Sequence, residues 1–157
     1  MAITRYLARK YKVDGYDNLA LFASSEMLVE EAVDILKLIA EAHDVQNSGS
    51  DSKYHELFNV KLPPHLQSLE AMLVNGPTFH ATFNQLVLGD FTVFSVLNLL
   101  SDVKPAVLNP YPKLTIFYKH ILKVGDVQAT VSSLPVLFER NRRNTTLEAA
   151  KKPTRTW

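Results

Sequence analysis

Apolar residues recur three and four positions apart along nearly the whole chain, and no stretch alternates apolar and polar residues with period two. Spacings of three and four put side chains on one face of a helix, whereas a half-buried strand needs strict alternation. A chain with this pattern buries its apolar surface helix against helix, so an all-α fold is expected. At 157 residues it is long enough for one ordinary domain with a sizeable core, or for one domain and a tail.

Turn and cap residues divide the pattern into elements. Met1 to Tyr11 reads as a helix already in progress, with Ile3, Tyr6, Leu7 and Tyr11 as its apolar stripe. No Ser, Thr, Asp or Asn stands ahead of Ile3 to bond the first free N–H groups, so the run reads as the end of something longer. Asp14-Gly15 makes a turn, and Asp17 or Asn18 can cap a long second helix to about His43, apolar on one broad face from Leu21 to Ile39. The polar segment Gln46 to Ser52 is a surface loop. A third helix begins at Lys53, and Pro63-Pro64 should kink or break it, because each proline removes a donor and crowds the preceding turn. Asn75-Gly76-Pro77 ends it. From Asp90 to about Leu100 a helix is apolar around most of its girth, which places it in a core. Pro110 starts the next helix, and Asp126 can cap a short last one that Pro135 closes.

Composition removes several function classes. There is no cysteine, hence no disulfide, thiolate chemistry or cysteine-held metal. The five histidines show no i,i+4 pairing, and His55-Glu56 has no second histidine to complete a zinc motif, so no metal site is expected. No apolar run approaches the roughly 18–20 residues of a membrane span, and the N-terminal residues lack a signal-peptide pattern, so a cytoplasmic protein without membrane contact is expected. From Glu139 onward six basic residues face two acidic ones, a net of +4 that leaves −3 for the rest of a chain whose net charge is +1. A mildly acidic body argues against nucleic acid as a partner. The basic tail, residues 139–157, is polar and expected to be frayed.

Three stretches carry a resemblance to the glutathione transferases. Ala2 to Lys10 is similar to the last helix of that family's thioredoxin-like domain, which reads Ala-Ile-x-Arg-Tyr-Leu-Ala. Glu26 to Leu36 resembles the first helix of the C-terminal domain, especially in the sigma class. Leu88-Gly89-Asp90-Phe91 matches the family's x-Ala-Asp-Phe, and Lys104 to Leu114 resembles its Lys-Pro-x-Leu-Leu-x-x-x-Pro-x-Leu at the right distance. The ordered set implies an all-α bundle like the transferase C-terminal domain. Residues 1–12 would be a remnant helix of a missing thioredoxin-like domain, 13–138 the helical domain and 139–157 the tail. Two positions depart from the pattern. Val87 stands where the family has the Ser or Thr of a reciprocal capping box, and Phe83 replaces a glycine. Asp90 remains as the cap of the buried helix.

The resemblance also implies site residues. In the family, a Tyr or Ser of the thioredoxin-like domain lowers the thiol pKa of glutathione, and a cis-proline loop and a Gln-Ser pair hold the tripeptide. None of these motif positions matches a residue of this sequence, so no catalytic or cofactor-binding residue is assigned. Tyr6, Tyr11 and Tyr16 read as packing or surface residues. Glutathione would enter only as cosubstrate once that domain is supplied, with nothing bound by this chain alone. Asp34 matches an acidic position that sigma-class proteins present across the dimer, but one turn later stand Lys37 and Leu38. The wall of a hydrophobic substrate pocket would comprise Ala40, Val45, Thr92, Val96 and Leu99, residues equally suited to plain core packing. The leading expectation is a sigma-like transferase chain carrying the electrophile-binding half, inactive alone, that self-associates or pairs with a thioredoxin-like domain. A non-catalytic interaction and assembly module, or a passive binder of hydrophobic ligands, is the alternative.

Overall fold

The computed structural model describes residues 1–46 and 52–133, leaving out the side chains of 43–46. The elements in order are α1 (Ala2–Lys10), α2 (Leu19–Gln46), α3 (Ser52–Glu56), a π-helical turn (Leu57–Lys61), α4 (Leu62–Met72), a 3-10 turn (Ala81–Phe83), α5 (Leu88–Val103), α6 (Pro112–Leu122) and α7 (Val127–Ser133). The described residues contain no strand, as the periodicity requires. The predicted closing Pro135, most of the predicted 46–52 loop and the tail from Glu139 lie outside the described residues.

Caps and turns account for most boundaries. Of the two candidate caps for α2, Asn18 acts, its Oδ1 accepting the N–H groups of Ala20 and Leu21 at 3.0 and 3.1 Å. Gly15 turns the chain ahead of it at φ +75°, a left-handed conformation that a side chain would resist. The prolines do not break the helix where predicted. The ladder widens one turn earlier, at Leu57–Lys61, and the Leu62 N–H reaches back five residues to the Leu57 carbonyl. Pro63 and Pro64 thereby fall in the first turn of α4, where a missing N–H is tolerated. The next correction is smaller. The helix predicted from Pro110 begins at Pro112, because Leu108 and Tyr111 first close a turn of their own, Tyr111 N–H to Leu108 carbonyl at 2.9 Å.

One core holds α2 to α6 together. Leu28, Ile35, Leu66, Leu69, Leu97, Leu100, Leu114, Phe117 and Ile121 are all sealed from solvent in it. Each such side chain contributes roughly 1.5–3 kcal/mol by leaving water. Helix α5 runs through the middle, buried at Leu88, Gly89, Asp90, Val93, Phe94, Val96, Leu97 and Leu100, and its main partner is α2. The two helices approach so closely that a Cβ on Gly89 would stand 2.7 Å from the Ser25 carbonyl oxygen. Helix α1 belongs to a small second cluster, in which Ala8 meets Val29 and Leu88 with Val13 at the side.

Candidate functional site

The start of α5 is the most densely bonded place in the described structure. Asp90 is fully buried. Its Oδ1 accepts the Phe79 N–H at 3.2 Å, and its Oδ2 accepts the Val87 N–H at 3.0 Å and faces His80 Nδ1 at 2.8 Å. A carboxylate in the first turn of a helix is also favoured by the helix dipole. The capping role expected of Asp90 therefore has a structural counterpart, and it extends beyond the helix to the 78–87 segment. Val87, sealed in the core, supplies only backbone to the cap, its carbonyl accepting the Asp90 N–H at 3.0 Å.

His80 continues the chain of bonds outward. Its Nε2 lies 3.1 Å from the hydroxyl of Ser24 on α2. Beside it, Ser25 Oγ accepts the Gly89 N–H at 2.9 Å. Sequence reasoning singled out neither Ser24 nor His80. The partners sit ten and fifty-six residues apart along the chain, separations with no helical meaning.

The proposed pocket wall divides in two. Thr92, Val96 and Leu99 share one face of α5, Val96 buried within the core cluster and Thr92 and Leu99 half-buried. Thr92 donates its hydroxyl to the Gly89 carbonyl at 3.0 Å. Ala40 is exposed on α2, and the side chain of Val45 lies outside the described residues. Asp34 is exposed as well. Its carboxylate is held by Lys37 Nζ at 2.8 Å, and that hydrogen bond and charge draw its pKa below the ordinary carboxylate value. The residue that departs from the family pattern, Lys37, is the one that neutralises it.

A cleft of about 270 Å³ opens between α1 and the start of α2, lined by Arg5, Tyr6, Arg9, Asp14, Phe22, Glu26 and Leu88. Its charges answer one another. Arg5 bonds Glu26 and Glu30 at 2.7 and 2.6 Å, while Arg9 pairs with Asp14 and lies 3.7 Å over the Tyr16 ring. None of the five wall residues lines it. The Arg5 pairs hold α1 against α2, the Arg9 pair holds it to the turn that follows, and the apolar stripe is left largely bare. Ile3, Tyr6, Leu7 and Tyr11 are 77, 66, 43 and 67% exposed. No group of side chains able to hold a metal occurs among the described residues.

Comparison with known proteins places this arrangement. The sequence profile of glutathione S-transferase, C-terminal domain, matches residues 33–130. Among solved structures, the chain is similar to rat hPGDS complexed with a quinoline, at 22% identity and a TM-score of 0.72, over 85% of this chain and 66% of that one. It is similar also to an Onchocerca volvulus Pi-class glutathione S-transferase, at 19% identity and a TM-score of 0.67, over 99% of this chain and 67% of that one. The chain thus spans about two thirds of the length of each of these structures. No curated protein matches it. At such identities the structural likeness is one of fold, but the profile covers more than half of the sequence, and on that ground the chain belongs to the glutathione S-transferase C-terminal domain family.

Proposed function

We propose that this chain is the helical, electrophile-binding half of a sigma-like glutathione transferase, and that it conjugates glutathione only together with a thioredoxin-like domain. The observation that carries the reading is the bare apolar stripe on α1. Ile3, Tyr6 and Leu7 on α1 and Tyr11 just past its end are large apolar side chains left exposed, while Arg5 pins the helix to Glu26 and Glu30. Contiguous apolar surface of this kind marks a site of association. A thioredoxin-like domain seated on the stripe would bring the groups that lower the glutathione thiol pKa and orient it, two effects on which conjugation depends. Without that domain, the stripe drives concentration-dependent self-association rather than one tight dimer.

The acceptor substrate in this reading is a flat apolar molecule resting against Thr92 and Leu99 of α5, with the buried Val96 behind them. The quinoline in the rat hPGDS structure belongs to the same chemical class. Asp34 has a lesser place here, since Lys37 already occupies its carboxylate.

The test is complementation. The purified chain alone is expected to conjugate glutathione to an aromatic halide no faster than solution does. Mixed with a sigma-class thioredoxin-like domain, it should show turnover, and the double variant Ile3→Lys, Leu7→Lys should lose it while keeping its helical content. Turnover by the chain alone, or complementation indifferent to the two lysines, would refute the reading. Recovery of a stoichiometric protein partner with no turnover in the mixture would favour a non-catalytic assembly module.

A further inference from the structure

Ser24, His80 and Asp90 stand in the order nucleophile, base, orienting carboxylate. Ser24 Oγ lies 3.1 Å from His80 Nε2, and His80 Nδ1 lies 2.8 Å from Asp90 Oδ2. The carboxylate can only accept, so in the neutral ring the Nδ1 proton points at Asp90 and the Nε2 lone pair at the serine hydroxyl. Asp90 is itself fixed by the Phe79 and Val87 N–H groups, which leaves the imidazole little freedom to turn. Asp90 and His80 are sealed in the interior, whereas Ser24 is half-buried on α2, so the hydroxyl end of the relay is the end nearest solvent. A nucleophile within hydrogen-bond reach of a base, with the base oriented by a third group, is the arrangement that activates a hydroxyl.

We propose that Ser24 is a reactive serine, acylated by activated aryl esters with His80 as general base, a reaction separate from glutathione conjugation. Ser24 Oγ forms a bond to the ester carbonyl carbon while its proton passes to His80 Nε2. The bond from that carbon to the aryl oxygen then breaks, and the leaving aryloxide takes the proton from His80, giving acyl-Ser24 and a phenol. Water later attacks the acyl carbon through the same base, releasing the acid and restoring the hydroxyl. Ser24 lies in the second turn of α2, where main-chain N–H groups serve the helix ladder rather than a developing oxyanion. Loss of one such donor costs an acyl-transfer enzyme on the order of 100–1,000-fold in rate. The site therefore suits esters with good leaving groups and not amides.

The experiment is acetylation of the whole chain by p-nitrophenyl acetate, with each serine followed by peptide mass spectrometry. Ser95, Ser132 and Ser133 are exposed, and their hydroxyls donate to carbonyls of their own helices instead of to an imidazole, so they serve as references within the same molecule. A positioned base is worth typically 100–10,000-fold, so Ser24 should react at least about tenfold faster than these three. In His80→Gln the Ser24 rate should fall to their level, with circular dichroism showing the fold retained. A Ser24 rate no higher than the references overturns the proposal, as does an advantage that survives in His80→Gln. The ratio within the unaltered chain decides the matter even if that variant does not fold.

Discussion

Asp90 satisfies three donors at once, and its worth follows from what its removal strands. In Asp90→Ala the N–H groups of Phe79 and Val87 and the Nδ1 of buried His80 lose their acceptor together. A lost helix cap costs about 0.5–2 kcal/mol and a stranded buried donor about 1–3 kcal/mol, so a destabilisation of at least about 2 kcal/mol is expected in urea melts. A loss below about 0.5 kcal/mol would mean that water replaces the carboxylate. Gly89 gives the opposite kind of test, since Gly89→Ala adds a side chain where α5 and α2 touch. Here the new methyl would meet the Ser25 carbonyl oxygen at 2.7 Å and the Leu28 Cβ at 3.0 Å, atoms at or next to the α2 backbone with little room to give. Overpacking of that sort costs about 1–3 kcal/mol, and a lowered melting temperature is expected despite alanine's better helix propensity.

At the scale of elements, the ends of the helices show how the bundle is joined. Helix α6 has no side-chain cap of its own. Its first N–H groups, those of Lys113 and Leu114, instead donate to Glu70 Oε1 and Oε2 on α4 at 2.9 and 2.8 Å. One carboxylate thus caps one helix and ties it to another. Glu70→Ala should cost on the order of 1–2 kcal/mol, and Glu70→Gln less, because the amide oxygen can still accept one of the two bonds. Thermal melts of the pair check this, and equal losses would argue that the side chain's packing matters rather than its acceptors. Between α1 and α2 the junction is of another kind. It rests on Ala8 and on ion pairs of Arg5 whose groups are partly exposed, and partly exposed pairs are weak and screened by salt.

For the whole molecule, those two kinds of junction predict a gradient of stability. Helices α2 to α6 share one continuous core, while α1 buries a single residue, Ala8, in its satellite cluster. Hydrogen exchange should therefore find the amides of Leu97 and Leu100 open only with global unfolding, and those of α1 exchanging by local opening several orders of magnitude faster. Equal protection in the two helices would show that α1 is bound more firmly than its contacts suggest. Much of this architecture was legible beforehand. Helix identity and order follow from periodicity, and Asn18 and Asp90 announce their caps, because the atoms that decide those features lie within about four residues of each other. Prolines 63 and 64 misled by one turn, since the backbone could widen its ladder ahead of them without any side-chain signal. Other features depended on the chain folding back on itself. The Arg5 pairs with Glu26 and Glu30, the Glu70 cap on α6, the contact of Ser25 with Gly89 and the relay from Ser24 through His80 to Asp90 join residues ten to sixty-four apart. No helical period encodes such a separation, so the sequence by itself determined the helices, and only the tertiary structure decided which buried polar groups satisfy one another.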